Sequence, residues 1–148
     1  MARSNSNHGV NDIGIDLYKK NHIMKWQADL SRIEPWLNSL DDATATLVLA
    51  AIRLLEQEGP NLKRPLVGEV KGSRFRNMKE LRPGSTGASE IRVLFAFDPR
   101  RCAIMLFAGD KQRWWDKWYR RAIPKADRLY QEHLDELERE GARHGSHR

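Results

Sequence analysis

The chain has 148 residues but only one cysteine, Cys102, so it cannot form an intramolecular disulfide. Its apolar runs are far shorter than the roughly 20 residues that a membrane-spanning helix requires. Its first residues also lack the continuous apolar stretch of a signal peptide. The sequence therefore predicts a soluble, cytoplasmic protein without a membrane partner.

Histidine is scarce as well, and only His133 lies inside a firmly predicted element. Its place beside an apolar helical stripe favours a boundary imidazole over a general base. Nucleophilic Ser or Cys needs a base within hydrogen-bond reach, and zinc needs three or four ligands; the sequence offers neither pattern. A Gly-rich phosphate loop is also missing. We therefore expect no metal and no cofactor, which leaves Lys, Arg and Tyr for any chemistry.

Positive charge is present in excess and is confined to one part of the chain. The formal net charge is +6, and residues 63–121 hold 15 Lys and Arg against 6 Asp and Glu. Such a segment is typical of a surface that meets phosphate groups. Solubility alone is the competing explanation.

The termini differ in composition from the rest. Residues 1–22 are rich in Asn, Ser and Gly and lack periodicity, so we expect a flexible leader there. Residues 141–148 are predicted to form a flexible tail. A single domain over 23–140 remains, within the usual size range of domains.

Hydrophobic periodicity predicts two helices near the start of this domain. Alternating apolar residues over 24–30 first predict a short strand. Residues 33–40 indicate a short helix, and apolar side chains at helical spacing over 47–55 indicate a longer one. Ser39 is the candidate cap of the longer helix, and Gly59-Pro60 is typical of a helix end.

The next part of the sequence reads as strands joined by turns. In the segment EIRVLFAF, the residues after Glu90 are apolar on both faces apart from Arg92, as in a central strand. Apolar residues over 114–122 predict a helix, and Pro124 is placed to open a last one. We expect an α+β fold in which an N-terminal helical hairpin packs on a small twisted antiparallel β-sheet, with C-terminal helices. The four predicted strands cover residues 66–72, 77–82, 90–97 and 102–108.

The candidate functional residues are basic or phenolic and gather on the predicted sheet. Cleavage of RNA through the ribose 2′-hydroxyl needs charge stabilisation of a phosphorane and proton transfers, which such side chains can provide. Structural alternatives remain open: Arg82 can pair with Glu80, and Asp110 can neutralise Lys111. The tryptophans over 114–118 are better explained by core packing. The candidates are Lys71, Arg74, Arg76, Lys79, Arg82, Arg92, Lys111 and Tyr119.

Several of these residues lie in motifs that resemble a known family. The motifs are Glu80-Leu81-Arg82, Ile91-Arg92-Val93-Leu94-Phe95, Asp98-Pro99-Arg100-Arg101 and Gly109-Asp110-Lys111. In this order they resemble the RelE/ParE superfamily of toxins, in its HigB-type, phage Gp49-like branch. The resemblance extends over about residues 24–135.

The resemblance implies a RelE-like fold and the toxin of a type II toxin-antitoxin system. Such a toxin is expected to be a metal-free endoribonuclease that cleaves messenger RNA on the translating ribosome. Its expected partners are the ribosome, mRNA and a cognate helix-turn-helix, HigA-like antitoxin.

The resemblance also implies roles for individual residues. Arg82 and Arg92 correspond to paired strand arginines that stabilise the phosphorane, and Lys111 corresponds to a lysine that contacts phosphate or donates a proton. Tyr119 matches an aromatic position loosely and would act as a base or stacking group. The expected RNA-binding residues are Lys71, Arg74, Arg76 and Lys79.

Two other functions are compatible with the same sequence. A ParE-like poison of DNA gyrase shares this fold, and a basic nucleic-acid-binding module needs no catalytic activity. The former would induce DNA damage and leave transcripts intact. The latter would bind polyanions with strong salt dependence and cause no growth arrest.

Overall fold

The computed structural model of the chain describes residues 26–113 and 116–145. Over these residues it has an α+β fold, as predicted, with a five-stranded sheet and three α-helices. The strands are β1 (Gln27–Asp29), β2 (Val67–Glu69), β3 (Met78–Leu81), β4 (Ile91–Phe97) and β5 (Cys102–Asp110), and the helices are α1 (Glu34–Asn38), α2 (Asp42–Glu58) and α3 (Asp116–Gly145).

The sheet has the order β1-β5-β4-β3-β2 and is mixed rather than wholly antiparallel. Strands β2 to β5 form the antiparallel meander that the turn pattern predicts. Strand β1, in contrast, pairs in parallel with β5, aligning Gln27 with Cys102. The alternation of apolar and polar residues indicates which face of a strand is buried, but not which strand pairs with it or in which direction. The prediction of an antiparallel sheet was therefore wrong at this edge.

The ends of helix α2 are set by residues next to them in the sequence. Its N-cap is Asp41, whose carboxylate accepts the Thr44 N–H at 2.7 Å. The prediction of a Ser39 cap was wrong, because that hydroxyl instead donates to the Trp36 carbonyl of α1 at 2.6 Å. The helix ends at Gly59 as predicted, where φ is +57° and glycine is favoured.

The two faces of the sheet carry separate hydrophobic cores. Val48, Leu55 and Phe95 belong to the core beneath α2. Leu94, Ala96 and Trp118 belong to the core beneath α3. A register shift between Leu94 and Phe95 interrupts the β4–β5 ladder.

Helix α3 is continuous, although separate C-terminal helices were predicted. Pro124 lies inside it and is exposed. A proline removes one helical hydrogen bond, and on an exposed face water can bind the freed carbonyl, so a proline there does not have to end a helix. The helix continues beyond the predicted domain end at residue 140, as far as Gly145.

Some sequence-based expectations concern residues outside the described ranges. They include the flexible leader at 1–22, the start of the first strand at Met24 and Lys25, and the packing of Trp114 and Trp115. Among the described helices, none is long and apolar enough to cross a membrane.

Candidate functional site

A buried carboxylate, that of Glu80, lies at the centre of the candidate site. Side chains alternate along β3, so Met78 and Glu80 face α3 while Leu81 joins the core beneath α2. The Glu80 side chain is only 3% exposed. A buried carboxylate is stable only with partners, and two arginines supply them.

Arg82 makes the shorter of the two contacts. Its Nε donates to Glu80 Oε1 at 2.8 Å, so the predicted ion pair is present. The guanidinium also crosses Gly68, which pairs with Glu80 in the sheet register. A Cβ at position 68 would lie 2.5 Å from Arg82 Nη2, so the small residue leaves space for the cation.

Arg92 reaches the same carboxylate from the neighbouring strand β4. Its Nε lies 3.5 Å from Glu80 Oε1, which is an ion-pair distance, but this buried N–H makes no hydrogen bond. Its Nη1 donates to the Ile91 carbonyl at 2.8 Å. The guanidinium is therefore anchored to its own strand and shares one oxygen with Arg82.

Tyr119 closes the group from α3. Burial is the main cause that raises its pKa to about 12, and the neighbouring Glu80 carboxylate adds to this effect while Arg92 opposes it. The phenol therefore remains protonated at neutral pH and is suited to donate a hydrogen bond. We refer to Glu80, Arg82, Arg92 and Tyr119 as the Glu80 cluster.

Lys111 lies beside the cluster, in the 3-10 turn that follows β5. Its ammonium nitrogen is 5.6 Å from the centre of the Tyr119 ring, a cation–π distance. The Asp110 carboxylate accepts the backbone N–H groups of Glu90 and Gln112. Asp110 thus holds the β4–β5 ends together through backbone contacts.

The connection between β2 and β3 carries three of the expected RNA-binding residues, Lys71, Arg74 and Arg76, all exposed. Asp127 of α3 fastens this connection: it accepts the Ser73 hydroxyl and the Arg74 N–H. Arg74 Nη2 also donates to Gln131 at 3.1 Å. The basic connection is therefore docked on the same helix that carries Tyr119.

Lys79, the fourth expected RNA-binding residue, is not brought to this group. It lies one residue before Glu80 and therefore points to the opposite face of the sheet. Its ammonium is 3.8 Å from Glu69, and it lines a groove of about 380 Å³ with Lys63 and Arg64. The structure thus separates Lys79 from Lys71, Arg74 and Arg76.

His133 occupies a different region, at the β4–β5 turn. Its Nε2 lies 2.8 Å from the carboxylate of Asp98, which also accepts the backbone N–H groups of Arg100 and Cys102. The turn is at the far end of β4 from Arg92, about 20 Å away at 3.3 Å per residue. The imidazole therefore stabilises a turn and lies away from the Glu80 cluster.

The four residues predicted from the sequence as catalytic lie close together. Arg82, Arg92 and Tyr119 are next to the Glu80 carboxylate, and the Lys111 ammonium lies over the Tyr119 ring. The sequence indicated the Arg82–Glu80 pair but not the proximity of Glu80 to Arg92 and Tyr119. Strand parity was the available signal, because it places Glu80 and Arg82 on one face. The remaining contacts depend on sheet register and on the docking of α3.

The chemistry of this arrangement suits a phosphodiester. Two guanidinium groups and an ammonium supply positive charge, and a protonated phenol supplies a further donor. Within the described part of the chain, no group of three or more His, Cys, Asp or Glu side chains could hold a metal ion. The guanidinium, ammonium and phenol groups of the site are suited to bind an anion.

Comparisons with known proteins match the region that contains this site. The family model of phage-derived, Gp49-like proteins matches residues 35–131, which include the whole Glu80 cluster and Lys111. A Mycobacterium tuberculosis protein named "Putative toxin HigB2" is 58% identical over 113 residues, which are 76% of this chain and 56% of that protein. Another from the same organism, "Putative toxin HigB3", is 51% identical over 98 residues, 66% of this chain and 83% of that protein.

The chain thus spans little more than half the length of the first of these relatives. No solved structure matches the chain.

Proposed function

Since the chain belongs to the Gp49-like family, we propose that it is the toxin of a type II toxin-antitoxin system and acts as a ribosome-dependent, metal-free endoribonuclease. Its partners are mRNA on the translating ribosome and a helix-turn-helix, HigA-like antitoxin. The observation that carries this proposal is the convergence of Arg82, Arg92, Lys111 and Tyr119 in one site. The toxin names of two relatives support it.

The reaction is an attack of the ribose 2′-oxygen on the adjacent phosphorus. The 2′-hydroxyl proton passes to solvent, the bond to the 5′-oxygen breaks, and a 2′,3′-cyclic phosphate forms. Arg82 and Arg92 stabilise the doubly charged phosphorane. Lys111 gives a proton to the leaving 5′-oxygen.

Tyr119 takes part as a donor in this scheme rather than as a base. Its pKa of about 12 keeps the phenol protonated at neutral pH, because burial and Glu80 disfavour the phenolate. The phenol can therefore donate a hydrogen bond to a non-bridging phosphate oxygen. The role of base that the family resemblance suggests is disfavoured by this environment.

The docked basic connection extends the proposed RNA-binding surface along α3. Gln131 accepts a hydrogen bond from Arg74 Nη2. Tyr119 and Gln131 are twelve residues apart, or about 18 Å along a helix. Lys71, Arg74 and Arg76 hold the RNA backbone along this length by charge. Lys79 faces the other side of the sheet and is suited to a separate contact with ribosomal RNA.

The test adds purified protein to a cell-free translation reaction and maps new 5′ ends on the message, with a ribosome-free control. Cuts that require translating ribosomes are expected. Intact message together with trapped gyrase–DNA complexes would replace the proposal with a gyrase poison. Intact message with salt-dependent RNA binding alone would indicate a non-catalytic module.

A variant of Arg92 separates catalysis from folding. Arg92→Ala is expected to slow cleavage by about 100- to 1,000-fold, the usual effect of losing one transition-state donor. Glu80 keeps Arg82 as its partner, so the variant should fold and bind the antitoxin. Arg53→Ala, an exposed change on α2, is the matched control and should cleave normally. Normal cleavage by a folded Arg92→Ala protein would remove this arginine from the mechanism.

A further inference from the structure

We propose that Glu80 is the positioning residue of this site, whose buried carboxylate orients Arg82 and Arg92 toward a single phosphodiester. The inference rests on the proposed ribonuclease function, since it assigns a role within that reaction. Glu80 acts through its neighbours and does not itself touch RNA.

One carboxylate oxygen of Glu80 lies within ion-pair distance of two cations. Glu80 Oε1 accepts a 2.8 Å hydrogen bond from Arg82 Nε and lies 3.5 Å from Arg92 Nε. These guanidinium groups come from different strands, and without a shared anion they would repel each other. The carboxylate holds both within one site.

The two arginines differ in their exposure and in their contacts. The Arg82 side chain is 32% exposed and follows the end of β3, whereas that of Arg92 is 15% exposed and bonded to its own strand. Arg82 can therefore turn its outer nitrogens toward a phosphate oxygen while its Nε stays on the carboxylate. The buried Arg92 Nε–H, which makes no hydrogen bond, is held beside the same oxygen by charge.

The burial of Glu80 also favours positioning over proton transfer. The Glu80 side chain is 3% exposed, so it has little direct access to the RNA. Both guanidinium groups lie within ion-pair distance of its carboxylate, so Glu80 acts on the reaction through them.

The test compares Glu80→Gln and Glu80→Asp with the wild type on translating ribosomes. The amide keeps the shape but loses the charge, so we expect kcat to fall about 10- to 100-fold with little change in KM. The shorter carboxylate of the Asp variant should restore part of kcat. Wild-type kcat in a folded Glu80→Gln protein would overturn the proposal.

A second pair of variants covers the case in which Glu80→Gln does not fold. Gly68→Ala places a methyl group 2.5 Å from Arg82 Nη2 and must displace this flexible side chain while Glu80 stays in place. Gly87→Ala is the matched control, since its Cβ meets nothing within 4 Å. Slow cleavage by Gly68→Ala together with normal cleavage by Gly87→Ala supports the proposal. Equal rates for the two variants contradict it.

A spectroscopic measurement makes this inference independent of cleavage. Carbon-13 NMR titration of Tyr119, assigned with Tyr119→Phe, should show an earlier phenol titration in Glu80→Gln, because the carboxylate disfavours the phenolate. An unchanged titration would contradict the placement of the charged Glu80 carboxylate beside the phenol. If the wild type cleaves no message while the titration shifts, the ribonuclease proposal fails and the arrangement around Glu80 stands.

Discussion

Asp127→Ala is expected to release the basic connection between β2 and β3 from helix α3. The carboxylate is 7% exposed and accepts two hydrogen bonds, from the Ser73 hydroxyl and from the Arg74 backbone N–H. The alanine variant would lose both acceptors at once. The exposed residues Lys71 and Arg76 would then be carried by a loosened segment.

The size of the effect follows from these two bonds. A hydrogen bond to a charged acceptor contributes about 1.5–3 kcal/mol, and part of this is recovered when water reaches the freed groups. We therefore expect the free energy of unfolding to fall by about 2–4 kcal/mol. With a urea dependence of about 2 kcal/mol per M, the unfolding midpoint moves down by about 1–2 M.

The measurement is urea unfolding followed by circular dichroism. Glu132→Ala, on the same helix, is the matched control: its exposed carboxylate lies 3.8 Å from Arg128 Nε, one turn earlier. Such a surface pair contributes about 0.2–0.5 kcal/mol. Equal midpoints for the Asp127 and Glu132 variants would refute the docking role. RNA binding adds a readout, because the Asp127 variant alone should lose affinity and part of its salt dependence.

Two further predictions concern Tyr119 and His133. The raised pKa of Tyr119 means that folding favours the neutral phenol, so its contribution to stability is complete below pH 10 and is lost as pH rises toward about 12. Urea unfolding at pH 9 and pH 11 should show a steeper loss for the wild type than for Tyr119→Phe, and parallel losses would count against it. His133→Ala should lower the free energy of unfolding by about 1–2 kcal/mol, because buried Asp98 loses its imidazole partner. The exposed His144→Ala is the control, and equal unfolding midpoints for the two histidine variants would contradict this role.

Much of the fold could be predicted because local chemistry encodes it. The apolar character of both faces of EIRVLFAF indicated the central strand β4, and Gly59-Pro60 indicated the end of α2. The failures concern choices between local alternatives. Either Ser39 or Asp41 could cap α2, and Pro124 could open a helix or lie within one.

The candidate site was predicted as residue types rather than as an arrangement. Basic residues on the strands were visible as candidates, and their grouping rested on the family resemblance. Lys79 shows the limit of this reasoning, because it neighbours Glu80 in sequence but points to the opposite face of the sheet. A single step along a strand reverses the side chain, so proximity in sequence is a poor guide to a shared surface.

The sequence by itself determined the α+β class, the short strands, the long helix α2 and the basic segment, since propensity, periodicity and charge are properties of neighbouring residues. Only the tertiary structure decided that β1 pairs in parallel with β5 and that Glu80 also joins Arg92 and Tyr119. These contacts join segments far apart in the chain. They depend on sheet register and on the packing of α3, which are set by the burial of both cores together.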